Sequence, residues 1–369
     1  MVDPQKLERL RAKYGETADA GIFDPHFRAV VDALFKSAGK RPPPYAGIPS
    51  LLRAPYRPDL AAAKRGELDF ALLGVPMDLG VTNRSGARFG PRAVRNVERI
   101  GPYEHVLRMA PLAEFAVADI GDVPLSSRYD LALCHSDIEA FVARLVEAEV
   151  VPLSVGGDHS IDLPLLRAVG KARPVGLIHI DAHCDTDGAL EGCKFHHGGP
   201  FRQAVLDGVL DPERTIQIGI RGAAEYLWEF SYDSGMTVIH AEEAIEMGPS
   251  AIAKRAHEVV GTGPTYVTFD VDSLDPAFAP GTGTPEVGGL SAAEALAILR
   301  GCLGVDVIGG DVVEVAPQYD STTNTAQIAS QALFTILCLA GAALKARRRG
   351  NPHRRMSPRA NDISAPEGT

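Results

Sequence analysis

Cysteine is scarce: Cys134, Cys184, Cys193, Cys302 and Cys338 are five in 369 residues, an odd number with no CxxC pair. That excludes a disulfide framework and a structural zinc knot. No run of about 18 apolar residues occurs, and Met1 to Lys13 carry charges throughout, so neither a membrane span nor a secretion signal is expected. A reducing cytoplasm is the expected compartment. Aromatic residues make up 6%, with one tryptophan, and positive charge is short, 37 Lys and Arg against 47 Asp and Glu. The shortage is uneven: Lys345 to Thr369 holds seven basic and two acidic residues, a net +5 that leaves −15 for the rest of a chain totalling −10. With no aromatic residue to stack on bases, the tail reads as a solvated, disordered terminus rather than an RNA-binding arm. The acidic body disfavours nucleic acid as a partner and suits a cationic small molecule or a metal.

Residues 1–65 mix short helical stretches with Arg41-Pro42-Pro43-Pro44-Tyr45 and Ala54-Pro55-Tyr56-Arg57-Pro58, and read as a partly extended arm. From Asp69 onward, short β-branched apolar runs (70–75, 150–155, 175–180, 215–220, 265–271, 305–315) alternate with helical stretches (136–148, 250–260, 292–303, 325–344). The alternation predicts an α/β fold, a parallel sheet with helices on both faces. With no internal repeat or linker, 66–344 is one domain and 345–369 a basic tail. Ligands of such sheets gather beyond the carboxyl ends of the strands.

Three polar clusters lie where that rule places a site. Ser154-Val155-Gly156-Gly157-Asp158-His159-Ser160 runs from a strand through two glycines, which allow close backbone approach, to a histidine. In Ile180-Asp181-Ala182-His183-Cys184-Asp185, extended backbone would set Asp181, His183 and Asp185 on one face, with Cys184 opposite. In Phe269-Asp270-Val271-Asp272-Ser273-Leu274-Asp275-Pro276, Asp270 and Asp272 would share a face, whereas Asp275 before proline is a turn residue. Two histidines and four aspartates suit Mn²⁺, with Ni²⁺, Co²⁺, Fe²⁺ and Zn²⁺ open to the same donors. Four carboxylates balance two divalent ions, which lower the pKa of a shared water. His179 faces the same side lower on its strand and reads as a satisfied core histidine.

These motifs, in this order, resemble the three signatures of the ureohydrolase family of arginases, agmatinases and guanidino-acid hydrolases. The resemblance covers about residues 45–344, since Gly86-Ala87-Arg88-Phe89-Gly90-Pro91-Arg92 and Ala279-Pro280-Gly281-Thr282-Gly283-Thr284-Pro285-Glu286 are similar to family loops. It implies a three-layer α/β/α arginase-like fold with a mainly parallel sheet and two ions, usually Mn²⁺. His159, Asp181, Asp185 and Asp270 would hold one; His183, Asp181, Asp270 and Asp272 the other, with Asp181 and Asp270 bridging. A bridging hydroxide would attack the guanidinium carbon, giving urea and an amine. His197, in Phe195-His196-His197-Gly198-Gly199, is similar to a proton-shuttling histidine, with His196 as its plain neighbour. Glu314, in Asp311-Val312-Val313-Glu314-Val315, resembles the carboxylate that grips the guanidinium. Asp185 joins His197 and Glu314 in the catalytic set. Relatives form trimers or hexamers, so the implied partners are other copies of the chain, or a related subunit, and no membrane.

The loop after Asp187 lacks the Asn and Ser run with which arginases hold an α-amino acid, so agmatine or a short guanidino acid such as 4-guanidinobutyrate is the expected substrate. The alternatives are guanidine, an alkylated guanidine or a biguanide with Ni²⁺, and a silent partner subunit. A zinc deacylase would need only one metal set. Trp228 and Tyr232 are assigned to either the core or a subunit contact.

Overall fold

A computed structural model describes residues 3–15, 22–35, 43–98, 100–222 and 224–350. The chain divides into two units between Arg41 and Pro42. In the first, helices span Pro4–Tyr14, capped by the Asp3 carboxylate on the Gln5 N–H, and Pro25–Phe35. The second holds an eight-stranded sheet: β1 (Phe70–Val75), β2 (Val117–Asp122), β3 (Val151–Gly156), β4 (Val175–Ile180), β5 (Leu210–Ile220), β6 (Thr237–His240), β7 (Thr265–Asp270) and β8 (Val307–Val313). Their order is β2-β1-β3-β8-β7-β4-β5-β6. Every pairing is parallel.

Helices cover both faces, so β1, β3, β4 and β7 are buried at every residue. One apolar cluster joins the sheet to helices Ala241–Val260, Ala292–Gly301 and Asn324–Gly350. The other joins it to Leu131–Glu147, Asp162–Gly170 and Pro200–Leu206. Local chemistry sets the ends: Asp130 caps its helix, and Ser291 with Glu294 forms a capping box. The helix expected from 250 begins at Ala241, with a break where Gly248 takes φ 73° before Pro249.

Residues 43–65, read from sequence as part of an arm, are tied to the sheet in the larger unit. Leu51 and Leu52 are buried, Asp119 of β2 accepts the Leu51 N–H, and Arg57 and Pro55 bond to the Asp119 backbone. The last helix runs to Gly350, six residues past the expected boundary, because Lys345, Arg347 and Arg348 reach Glu114, Asp306 and Asp69. It is apolar and long enough to cross a membrane, but most of it is buried against the sheet. The tail beyond Gly350 lies outside the described residues.

Candidate metal centre

The four central strands β3, β8, β7 and β4 end along one edge, and each delivers polar side chains there. After β3 the chain turns at Gly157, where a Cβ would lie 2.0 Å from Met77 O and 2.7 Å from Val75 O, so glycine alone fits. Asp158 then fastens the turn by accepting the Gly80 and Ser160 N–H groups. That leaves His159 facing the ends of β4 and β7.

Its Nδ1 lies 2.9 Å from Asp181 Oδ2, 2.9 Å from Asp185 Oδ2 and 3.3 Å from Asp270 Oδ2. A second set places His183 Nδ1 3.2 Å from Asp272 Oδ2 and 3.5 Å from Asp181 Oδ1. Asp181 therefore serves both sets, one oxygen to each. Asp270 Oδ2 faces His159 and Asp272 Oδ2 faces His183, while Asp270 Oδ1 accepts the Asp272 N–H.

The one-face geometry expected from strand alternation is not how the residues meet. β4 stops at Ile180, and Asp181 Oδ1 accepts the His183 N–H; Asp185 reaches His159 with φ 52°. β7 stops at Asp270, and 271–273 is a 3₁₀ turn. Carboxylates at a strand end bond the nearest free N–H groups and curl the chain. Asp275 accepts the Ala277 and Gly288 N–H groups, as a turn residue does. Cys184 is buried, which pushes its thiol up to about 12, so it offers no thiolate.

A metal fits this cluster. His159 Nδ1 is buried with no hydrogen-bond partner among the described residues, yet three carboxylate oxygens surround it. Burial opposes charge on Asp181, but His179, His159 and His183 hold it well below the usual carboxylate range. Asp270 is driven well above that range by burial and by the charges of Asp272 and Asp181. Divalent cations would offset this repulsion, and nitrogen with carboxylate oxygen suits Mn²⁺, Fe²⁺, Ni²⁺ or Zn²⁺.

Beside the cluster, Glu314 Oε1 accepts the His159 N–H at 2.9 Å and pairs with His197 Nδ1 at 2.8 Å. Oε2 is buried without a hydrogen-bond partner among the described residues. Glu314 takes φ 63°, a left-handed conformation that costs a non-glycine residue about 1–3 kcal/mol and clusters at functional sites. It also ends β8 one residue before, short of the run expected to 315. His197 Nε2 meets Thr82 Oγ1 at 2.7 Å and accepts the Thr82 N–H at 3.0 Å. Burial pulls the His197 pKa down, but Glu314, Asp158 and Asp185 outweigh it and lift it to about 9. His196 instead holds the loop, its Nε2 on Gly188 O. Trp228 lines the chamber with Leu227, Asp187, Thr284 and His183, its ring 4.5 Å from His240; Tyr232 bonds His240 from outside.

Sequence reasoning missed the supports under the ligands. His179 Nε2 lies 2.7 Å from Asp181 Oδ2 while Nδ1 faces the Gln217 amide. It is satisfied, as read, but it also orients Asp181. Thr82, Thr268 and Asp311 carried no motif signal.

The arginase family model matches residues 68–339, and the chain belongs to that family. It is a hydrolase, as its curated relatives are. It is 48% identical over 301 residues to a guanidinopropionase of Pseudomonas aeruginosa, covering 80% of this chain and 93% of that one. A mitochondrial agmatinase of Gallus gallus is 43% identical, covering 79% and 86%. The solved proclavaminate amidino hydrolase of Streptomyces clavuligerus superposes with TM-score 0.78 at 36% identity, covering 82% and 100%.

Proposed function

We propose that this chain hydrolyses the guanidino group of agmatine or of a short guanidino acid to urea and an amine, using two divalent ions, Mn²⁺ first and Ni²⁺ as the alternative. One observation carries the reading: two histidine-carboxylate sets share Asp181 beside a buried glutamate with a free oxygen. The names of the guanidinopropionase and agmatinase relatives support the substrate class. Retention of all six ligand residues, His197 and Glu314 favours an enzyme over a silent subunit.

His159, Asp181, Asp185 and Asp270 would hold one ion, and His183, Asp181, Asp270 and Asp272 the other. When bound, the pair supplies a water nucleophile of lowered pKa. Glu314 receives the planar cation at Oε2, since Oε1 is already engaged. That contact orients the guanidinium carbon toward the ligand cluster. His197 moves a proton at Nε2 through the Thr82 hydroxyl, while its bond to Glu314 holds the ring. Leu227 and Trp228 wall the chamber along the rest of the substrate. The reading includes a cytoplasmic homo-oligomer, trimeric or hexameric, checked by light scattering.

The test is urea release by apoprotein reconstituted with Mn²⁺ or Ni²⁺, across agmatine, 4-guanidinobutyrate, 3-guanidinopropionate, arginine, guanidine and dimethylbiguanide. Turnover of agmatine or a guanidino acid, lost in Asp181→Ala, is expected. Release from guanidine or the biguanide alone would replace the substrate assignment, and no release from any would refute it.

A further inference from the structure

Beneath the ligand cluster lies a chain of buried polar groups that the reaction does not touch. His159 Nε2 is 2.9 Å from Thr268 Oγ1, Thr268 Oγ1 donates to Asp311 Oδ1 at 2.7 Å, and Tyr266 OH donates to Asp311 Oδ2 at 2.7 Å. Thr268, Asp311 and Tyr266 are all essentially inaccessible to solvent. Burying three polar side chains inside a β-branched core is costly unless each is satisfied and the set has a use.

We infer that Thr268, held by Asp311, is the positioning residue that fixes His159 in the Nε2–H tautomer and so presents the Nδ1 lone pair to a metal. A threonine hydroxyl has one proton. Having given it to Asp311, Thr268 Oγ1 can only accept from the imidazole, so Nε2 carries the hydrogen, and in the neutral ring that binds a metal Nδ1 is the nitrogen left bare. Asp311 Oδ1 accepts that proton whether or not Oδ2 shares one with Tyr266. Nδ1, buried and without a hydrogen-bond partner among the described residues, is the atom the three carboxylates surround. The tautomer demanded by the metal and the tautomer demanded by the hydroxyl are the same one. Asp162 gives the device a competitor: its Oδ2 lies 3.6 Å from Nε2, and both its oxygens are buried without hydrogen-bond partners among the described residues. Without the Thr268 hydroxyl, the Nε2–H has Asp162 to turn to, and the ring swings away from the ligand geometry.

This inference rests on the metal site proposed above, and its test measures metal affinity rather than turnover. Full-length apoprotein is titrated with Mn²⁺ by equilibrium dialysis with elemental analysis, for wild type, Thr268→Val, Thr268→Ser and Asp311→Asn. Outer groups that orient a ligand are worth 10- to 100-fold in metal affinity, so Thr268→Val should weaken the affected ion by about that factor. Serine keeps the hydroxyl, and asparagine can still accept through Oδ1 while its amide faces Tyr266; both should stay within about threefold of wild type. If Thr268→Val does not fold, Asp311→Leu, which removes the acceptor one bond further out, carries the same expectation. Unchanged affinity in Thr268→Val overturns the assignment. Equal losses in all three variants also overturn it, since general packing damage then accounts for them. A wild type that binds no Mn²⁺ or Ni²⁺ overturns the metal site itself, and this inference with it.

Discussion

Replacing Glu314 with glutamine keeps the shape of the side chain and removes its charge. The amide oxygen must stay where Oε1 is, because two groups converge there, the His159 N–H at 2.9 Å and His197 Nδ1 at 2.8 Å. The –NH₂ therefore takes the place of Oε2, the oxygen proposed to receive the substrate. A guanidinium has only donors to offer, so an acceptor becomes a clash of donors. A hydrogen bond to a charged group contributes about 1.5–3 kcal/mol, and this substitution removes one and adds repulsion. A loss of about 3 kcal/mol corresponds to about 160-fold in kcat/KM. Metal content should stay at the wild-type value, since Glu314 lies in neither ligand set, and thermal unfolding should shift little. Steady-state urea release with metal analysis of the same sample makes the measurement. Removing the carboxylate also removes the leading upward pull on His197, so the limb of the pH–rate profile that reports it should move to lower pH. A kcat/KM within threefold of wild type, with metal in place, would refute the assigned role.

Other consequences concern stability. Burial and Arg167 hold the pKa of His135 down at about 4, below its unfolded value near 6.5. Its contribution is thus complete above about pH 6.5 and is lost as pH falls toward 4, by about 3 kcal/mol in total; His135→Gln should flatten that part of a pH–stability curve from chemical denaturation. Arg95 forks onto buried Asp119, Nε to Oδ2 at 2.8 Å and Nη2 to Oδ1 at 3.0 Å, so Arg95→Met should cost about 3–5 kcal/mol in urea unfolding, and a cost under 1 would show the pair is dispensable. Gly157→Ala forces a Cβ against two backbone carbonyls, and soluble yield together with bound metal should collapse; a well-folded, metal-replete variant would contradict the turn geometry.

What the sequence made legible follows from pattern. β1 and β4 are six-residue apolar runs, buried on both faces, and they stand where expected. β2 escaped notice because Val117–Asp122 carries Asp119 in its middle, a charge that looks like a loop until Arg95 and the Leu51 N–H are seen around it. β6, four residues at the sheet edge, is too short to show a period. The candidate ligands stand out as charged residues crowded at strand ends, although the path by which they meet depends on turns and on the positive φ of Asp185, which alternation does not encode. Thr268 and Asp311 stayed hidden because threonine and aspartate in a strand resemble any others until the distances between strands are known.

The strand order also says when the site can exist. β3 pairs with β1 on one side and with β8 on the other, and β8 is the last strand among the described residues. During synthesis, one edge of β3 and one edge of β7 therefore wait open until residues 307–313 have left the ribosome. Glu314 follows immediately, so the cluster closes only once β8 has inserted between β3 and β7. Such late, long-range pairing is slow and leaves apolar edges exposed, which makes a chain interrupted before β8 a candidate for aggregation and for chaperone capture.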